Sequence, residues 1–495
     1  MADDSNTSRS TMLPPKAGVS VRMYNPGFGD CFLLAFPTKD ERAFYMLIDC
    51  GVHHQFPHGK EKIRKVVADI AAATNKQIDL VVVTHEHSDH TSGFNYAREI
   101  FNDISMENLW LAWTEDPTNE LVKELKKSYG MRIRAINTAI ERLNLSNSQF
   151  ANRLKGILDF EIQVTNGISV NPSLDFLRTK SKVKLEKPED YRRPEESPLS
   201  LPNVDGVKIS ILGPPKKKEW IKLIQSKSEL YPELTATNEV TAFVVALLGL
   251  DSKSRLNNME TEIAQRSLPF DKIYHIKQEE LGKKGYEQFF HDHYYTDEDK
   301  DASWRFIDND WLFSTEQLAL SINSYTNNTS LAFAIELTKT EPNKVLLFVG
   351  DAQIGNWLSW IQPESVSEES IDTDSRALDL LRRVVLYKTG HHGSHNATPG
   401  RKGLELMESP DLVAMIPVNE QWAKEKMHWQ HPADKIYNRL IDKTRGRVLR
   451  SDMIPINGSL LKPSLASEGE WEAYIEQIEW DNSGEQLWIQ FTISD

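Results

Sequence analysis

Residues 78–90 read Ile-Asp-Leu-Val-Val-Val-Thr-His-Glu-His-Ser-Asp-His, and this stretch decides the predicted fold. Its first part, Ile78 to Val83, is a largely β-branched run of the kind that forms a strand buried on both faces. Directly after it come three imidazoles and a carboxylate, those of His85, His87, Asp89 and His90. Side chains crowded in this way need a cation, because protonated histidines would repel one another. The stretch therefore predicts a metal site at the end of a buried strand.

The spacing of these side chains allows one short loop to serve two metal ions. Along an extended chain, His85 and His87 point to one side and Asp89 points to another. Two ions about 3.5–4 Å apart can share a hydroxide and hold an oxyanion between them. A surface histidine cluster or a single structural zinc is the alternative, but neither requires ligands directly after a buried strand. The pattern favours a catalytic centre.

The composition limits the class of protein. The 495 residues are 39% hydrophobic and 26% charged, which is typical of a soluble globular chain. The net charge of −14 disfavours a general nucleic-acid binder, although metal ions or a local basic groove can reverse the sign at one site. The cysteines, Cys31 and Cys50, are too few for a disulfide framework, so a reducing compartment is expected.

Neither a secretory signal nor a membrane span is expected. Met1 to Ser10 is polar and has no apolar core. The most apolar run, Thr241 to Leu250, is far shorter than the roughly 20 residues that a membrane-spanning helix needs. The sequence predicts a cytoplasmic protein.

Periodicity divides the chain into an α/β core and two insertions. Strand patterns alternate with helical spacing in the first part, and strand patterns return in the last third of the chain. The stretches between them are helical or irregular and rich in charge, so we interpret them as insertions on the core. The predicted division is a flexible N-terminus 1–17, core 18–115, insertion 116–200, core strand 201–215, insertion 216–318 and core 319–495.

A His-x-His-x-Asp-His segment after a hydrophobic strand resembles the metal-binding signature of the metallo-β-lactamase superfamily. The resemblance implies an αββα sandwich, in which two mixed sheets pack back to back with helices outside and metals at one edge. It also implies a hydrolase with two divalent ions, zinc or else manganese. The three core segments would form the sandwich, and the insertions would roof the site.

Other segments match the later motifs of this superfamily. Asp49, in Leu-Ile-Asp-Cys-Gly, matches the supporting acid of the first motif. Asp351, in Phe-Val-Gly-Asp, matches the acid that bridges both metals. His392, in Thr-Gly-His-His-Gly-Ser, matches the late histidine of the second metal site, with His391 as the alternative. The implied ligands are His85, His87, Asp89, His90, Asp351 and His392.

A narrower resemblance is to the hydrolase domain of ComEC-type DNA-uptake competence proteins. The segments that carry it are 25–31, 327–331, 391–394, 431–432 and 450–452. That domain is thought to degrade one DNA strand, and the same subgroup resembles phosphorylcholine esterases. Both reactions are phosphodiester hydrolysis. No transmembrane bundle accompanies the domain here, so DNA uptake itself is not implied.

The chain departs from the superfamily pattern at the third motif. Many members have a histidine there that binds the first metal, whereas Asn327 or Asn328 occupies the place in this sequence. The first metal would keep only His85, His87 and Asp351.

Two further groups of histidines are weaker candidates. His53, His54 and His58 follow the first motif, and we interpret them as part of a solvated loop rather than a border of the site. His291 and His293 have no buried strand before them, so a second metal site there is not favoured.

The predicted function is phosphodiester hydrolysis, as a nuclease or a nucleotide phosphodiesterase, by a hydroxide that two metals activate. Asp89 would orient the nucleophile while it binds a metal, Asp49 and Asp30 would fix ligand histidines, and His391 or His431 would donate to the leaving oxygen. Hydrolysis of a carboxylic ester, thioester or lactam is one alternative. The other is a weakly active metal-binding subunit that contacts a protein partner through its insertions.

Overall fold

The structure is a computed structural model of the chain. It describes residues 11–146, 148–158, 164–165, 168–169, 171–223, 244, 246–248, 261, 285–289, 315–362, 375–455, 460 and 462–494. Most of the predicted insertion 216–318, including His291 and His293, lies outside the described residues.

The described strands are β1 Gly18–Tyr24, β2 Cys31–Pro37, β3 Ala43–Cys50, β4 Gln77–Val82, β5 Ser105–Trp110, β6 Val164–Thr165, β7 Ile168–Ser169, β8 Val207–Gly213, β9 Ala332–Leu337, β10 Lys344–Phe348, β11 Val384–Lys388, β12 Val413–Ile416, β13 Val448–Arg450, β14 Ile478–Trp480 and β15 Trp488–Ser494. The described helices are α1 Gly59–Ala73, α2 Ser88–Tyr96, α3 Arg98–Asn102, α4 Glu120–Ser146, α5 Ser148–Leu158, α6 Pro172–Lys180, α7 Lys218–Ile221, α8 Thr315–Asn328, α9 Ile354–Ile361, α10 Arg376–Arg382, α11 Glu420–Trp422, α12 Asp434–Thr444 and α13 Glu468–Ile475.

Two mixed sheets form the framework. One has seven strands in the order β14-β15-β1-β2-β3-β4-β5, and the other has six in the order β13-β12-β11-β10-β9-β8. Apolar side chains of both sheets form one buried cluster, in which the rings of Phe32 and Phe348 lie 5.7 Å apart. Burial of this shared face is the main stabilising contribution that holds the sheets together.

Helices cover the outer faces of the sheets. Leu33, Leu47 and Val81 are buried but lie outside the cluster between the sheets, because alternate strand residues point to opposite faces. Helix α2 packs against β3 and against α1, and α10 packs against β10. The αββα sandwich that the sequence predicted is confirmed.

The carboxyl ends of the parallel strands meet at one edge of the sandwich. In the first sheet, β3 runs parallel to β4, with Ile48 opposite Val82. In the second, β11 runs parallel to both β10 and β12, with Lys388 opposite Phe348 and Met415. The residues that follow these strands in the sequence therefore lie at the same edge.

The chain divides into two compact units. The first consists of Met1–Val122, Asn171–Leu230 and Ser324–Asp495 and contains both large sheets. The second consists of Lys123–Val170 and Tyr231–Asn323, and its described part includes α5 and the β6–β7 hairpin. Residues 171–200, which we assigned to an insertion, belong to the first unit.

The N-terminal segment differs from its prediction in part. Residues 1–10 lie outside the described chain. Met12, which we expected to be flexible, is buried, and its N–H donates to the carbonyl of Ala73 at 2.9 Å. The residues just before this methionine in the sequence are polar, so the sequence pattern did not indicate that it is buried.

None of the described helices combines the length and the apolar character that a membrane span requires. Cys31 and Cys50 face each other across β2 and β3 as buried free thiols.

Candidate metal centre

The histidine-rich segment is half loop and half helix. Strand β4 ends at Val82, and helix α2 begins at Ser88. Asp89 and His90 therefore lie in the first turn of a helix, not on the single loop that the sequence suggested. A carboxylate in a first helical turn is favoured by the helix dipole.

A close backbone approach positions this helix. A Cβ at Gly51 would come within 2.3 Å of the backbone of Asp89 and His90. Only glycine fits at this position, so the end of β3 at Asp49-Cys50, with Gly51 after it, can lie directly beside the first turn of α2.

Asp49 supports the ligand segment from behind the candidate ligands. Its Oδ1 accepts the N–H of Thr84 at 2.8 Å, and its Oδ2 accepts the Thr84 hydroxyl at 2.7 Å. The same Oδ2 lies 2.8 Å from Nδ1 of His90. Opposite a carboxylate Nδ1 carries the proton, so the Nε2 lone pair of His90 is directed away from Asp49.

Four predicted ligands come together in what we call the four-residue cluster, which consists of Asp89, His90, Asp351 and His392. Nε2 of His90 lies 3.2 Å from Oδ2 of Asp351 and 3.7 Å from Oδ2 of Asp89. Nε2 of His392 lies 2.8 Å from the same oxygen of Asp89. Nδ1 of His392 donates to the carbonyl of Pro417 at 2.7 Å, which fixes the ring with Nε2 toward the cluster. All four side chains are fully buried.

Three predicted ligands form a second group, the three-residue cluster of His85, His87 and Asp351. One ligand atom from each lies within 4.8 Å of the other two. Nε2 of His85 is 3.0 Å from Nδ1 of His87. Asp351 belongs to both clusters, as the bridging role that the sequence suggested requires.

Asp30 lies close to the same site but behind it. Its carboxylate, like that of Asp351, is within 4.8 Å of nitrogens of His90 and His392. The nearest nitrogens are, however, the Nδ1 atoms, at 3.8 Å in His90 and 3.5 Å in His392. Both Nδ1 atoms carry protons, so they cannot bind a metal that Asp30 also binds. We therefore assign Asp30 to the outer side of the ligands, and Asp89 to the metal side.

The donor set fits divalent cations. Oδ1 of Asp89, Oδ2 of Asp351 and Nε2 of His90 are buried, and none has a hydrogen-bond partner among the described residues. Buried carboxylate oxygens without partners are costly unless a cation binds them. Imidazole nitrogens with carboxylate oxygens are ligands that zinc and manganese accept.

The electrostatics of the cluster agree with this fit. Burial alone would lower the pKa of His90, but the surrounding carboxylates, led by Asp351, raise it well above its ordinary value. Burial would raise the pKa of Asp351, but the attraction of His90 lowers it well below its usual range. The Asp351 carboxylate thus remains ionised, and the cluster favours positive charge.

The two candidate donors to a leaving group lie beside the clusters. The rings of His391 and His431 are 5.4 Å apart, and His431 is 6.5 Å from His392. Burial lowers the pKa of His391 to about 4 and that of His431 well below its ordinary value. The backbone N–H of His391 also donates to Oδ1 of Asp351 at 3.0 Å. Neither ring belongs to a described ligand group.

An aromatic wall flanks these histidines. It consists of Phe28, His53, Trp422 and Trp429. The ring of Phe28 lies 4.2 Å from His392 and 5.1 Å from Trp422, and Trp429 lies 5.9 Å from His431. His53 is buried between both tryptophans, so its assignment to a solvated loop was wrong, whereas His54 and His58 are exposed.

The asparagines of the third motif differ from each other. Asn328 donates to the carbonyls of Ile221 and Leu223 and accepts the N–H of Asn356, so its amide is occupied by structural hydrogen bonds. Asn327 is fully buried next to Asn328. Of the two residues proposed for this place, only Asn327 remains a candidate.

Several residues of the site have left-handed backbone, as do others elsewhere in the described chain. Asp49, His391 and His392 have φ values of 54°, 44° and 52°, and Gly350 before Asp351 has 53°. Such conformations are strained for residues with a Cβ and persist where the surroundings fix them, most often at functional sites.

Sequence reasoning missed Lys388, whose ammonium is buried at this edge. It pairs with Asp30 and lies 3.5 Å from Oδ1 of Asp351. A signal was present, because a lysine closes an otherwise apolar strand two residues before Gly390.

A protein-family model agrees with the fold of the first part of the chain. The family model for the Metallo-beta-lactamase superfamily matches residues 24–109, which include Asp30, Asp49 and the histidine-rich segment. A comparison with curated proteins gave no match. Among solved structures, a beta-lactamase domain protein from Burkholderia ambifaria matches at 17% identity with a TM-score of 0.19. That match covers 43% of this chain and 52%, about half, of the other.

Proposed function

Because the chain carries a metallo-β-lactamase superfamily domain, a fold of metal-dependent hydrolases, we propose that it hydrolyses phosphodiesters, as a nuclease or a nucleotide phosphodiesterase. The observation that carries the proposal is the buried set of ligand atoms around Asp351. Nε2 of His90 lies 3.2 Å from Oδ2 of Asp351 and 3.7 Å from Oδ2 of Asp89. Asp89 Oδ1, Asp351 Oδ2 and His90 Nε2 are buried and have no hydrogen-bond partner among the described residues.

The residues present would hold two divalent ions. The four-residue cluster would bind one ion and the three-residue cluster the other, with Asp351 shared between them. When bound, a pair of such ions supplies an activated water at neutral pH and stabilises negative charge on a phosphoryl group. Zinc fits the imidazoles, and manganese fits the carboxylates equally well.

The protein supplies hydrogen bonds beside the metals. His391 and His431 are neutral near pH 7 because burial lowers their pKa values, to about 4 for His391. They would therefore bind oxygen atoms of the substrate, the leaving oxygen among them, as hydrogen-bond donors. Nδ1 of His431 is buried without a hydrogen-bond partner among the described residues, so it is available for this contact.

The choice of phosphodiesters over other substrates is supported by two features. The ComEC-like segments around Asp30, Ser330 and His392 surround the clusters, and the proteins they resemble act on phosphodiesters. The aromatic wall offers Trp429, which is partly exposed beside His431. Tryptophan faces stack on nucleobases with little sequence preference.

Metal content and turnover of bis-p-nitrophenyl phosphate test the proposal. Protein purified without chelator is expected to contain up to two divalent ions and to hydrolyse the phosphodiester, and a chelator should abolish turnover. Asp351→Asn is expected to be inactive. The matched control Asp411→Asn changes an exposed acid before β12 and should keep parent activity.

The alternatives give different results in the same experiment. Cleavage of a p-nitrophenyl ester, a thioester or a lactam without phosphodiester turnover would support the second hydrolase class. One bound ion without any turnover would support a metal-binding subunit. Protein that takes up neither zinc nor manganese would contradict the metal centre itself.

A further inference from the structure

The buried ammonium of Lys388 has three acceptors for its three N–H groups. Nζ donates to the carbonyl of Gly350 at 2.7 Å, forms a close ion pair with Oδ2 of Asp30, and lies 3.5 Å from Oδ1 of Asp351. The side chain is 2% exposed. Burying an ammonium is costly, so a site that does so must gain from its exact placement.

Lys388 distinguishes the two oxygens of Asp351. Oδ1 accepts a hydrogen bond from the backbone N–H of His391 at 3.0 Å and faces Lys388. Oδ2 faces Nε2 of His90 at 3.2 Å and accepts no hydrogen bond from a described residue. One oxygen is held by the protein, and the other is directed at the ligands.

The same ammonium connects Asp351 to the ligand helix. Asp30, its ion-pair partner, donates its backbone N–H to the carbonyl of Asp89 at 2.9 Å. Asp30 precedes β2 in the seven-stranded sheet, whereas Lys388 ends β11 of the six-stranded sheet and Gly350 follows β10 of the same sheet. Lys388 thus joins the ligand-bearing edges of both sheets at one point.

We propose that Lys388 is a positioning residue of the metal centre, which holds Asp351 by Oδ1 so that only Oδ2 is presented to the metals. This inference rests on the proposed metal centre. It predicts that removal of Lys388 changes the metal affinity in the direction opposite to the one expected from charge repulsion alone. A positive charge beside the ligands weakens cation binding, so its removal alone would raise metal affinity. Loss of orientation lowers metal affinity, by about 10- to 100-fold when a group that supports a ligand is removed.

The test is calorimetric titration of metal-stripped protein with Mn²⁺ and Zn²⁺, together with the absorption spectrum of bound Co²⁺. Lys388→Met keeps the length of the side chain and removes the charge. We expect its Mn²⁺ affinity to fall about 10- to 100-fold, and the Co²⁺ spectrum to change because the Asp351 oxygen moves. The matched control Lys344→Met, at the half-buried start of the neighbouring strand, removes an ammonium that contacts the carbonyl of Ser494 and should bind metal like the parent.

Lys388→Met leaves Asp30 buried without its partner and could unfold. The double variant Asp30→Asn with Lys388→Met removes both charges, so it avoids an unpaired buried ion. It should show the same loss of affinity and the same spectral change. Unchanged or tighter metal binding in the folded variants, or a parent-like Co²⁺ spectrum, would overturn the role of Lys388 alone. A parent protein that binds no metal would instead overturn the proposed function.

Discussion

Oδ2 of Asp49 lies 2.8 Å from Nδ1 of His90, which joins the last residues of β3 to the first turn of the ligand helix. The contact sets the tautomer of His90, so that Nε2 is the nitrogen presented to the metal. The same carboxylate oxygen also accepts the hydroxyl of Thr84, the residue before the first ligand. One buried acid therefore fixes both ends of the ligand segment without binding a metal itself.

Asp49→Asn is expected to weaken metal binding by about 10- to 100-fold, the usual cost of losing a carboxylate behind a ligand histidine. In the variant, the amide oxygen still accepts hydrogen bonds but the amide nitrogen does not. One of the two atoms that accept from Thr84 and His90 is therefore lost. Calorimetric titration of metal-stripped protein measures the effect, and circular dichroism checks that the variant is folded. Asp205→Asn, at an exposed acid, is the control. A folded variant with parent affinity would show that His90 does not need this contact.

Asp351→Ala is expected to reduce phosphodiester turnover far more than His391→Ala. Asp351 is shared by both ligand clusters, whereas the ring of His391 belongs to neither. We expect the Asp351 variant to lose more than about 100-fold, beyond the range for groups that only support a ligand, and the His391 variant to stay within that range. Initial rates with saturating metal decide the comparison. Near-parent turnover of the Asp351 variant would contradict the bridging assignment.

The sequence predicted those parts of the site that are local in the chain. The strand before His85 and the Gly-Asp turn at Asp351 could be predicted because their patterns lie within a few neighbouring residues. The roles of Lys388 and Asn328 could not, because their partners Asp30 and Asn356 are distant in the sequence and become neighbours only when the sheets and helices pack together. Likewise, the start of α2 at Ser88 was hidden, since a histidine-rich segment has no strong helical propensity.

His53 gives the stability a pH dependence. Burial lowers its pKa from 6.5 to about 3, so between these values the unfolded chain binds more protons than the folded one. The free energy of unfolding should therefore fall as the pH drops below 6.5, by up to about 1.4 kcal/mol per pH unit from this group. Denaturant unfolding of metal-free protein at pH 7 and pH 5 measures the slope.

In His53→Gln this contribution should disappear, and the difference in stability between the two pH values should shrink. The control His58→Gln changes an exposed histidine on the same loop and should keep the parent slope. An equal slope in parent and His53→Gln would show that the buried ring does not resist protonation.

The two ligand clusters should hold their ions unequally. The four-residue cluster offers two carboxylates and two imidazoles, whereas the three-residue cluster has two imidazoles and only a share of Asp351. Asn327 would complete the second set with an amide oxygen, which is a weak donor for zinc but acceptable to manganese. We therefore expect one ion to survive dialysis and the other to exchange, with activity that depends on added metal and is at least as high with manganese as with zinc.

Stepwise titration of metal-stripped protein, with activity followed at each step, measures both. His392→Ala should remove the tight step and His87→Ala the weak one. Two equally tight zinc steps in the parent would show that a stronger ligand completes the three-residue cluster, and Asn327 would then have no place in it.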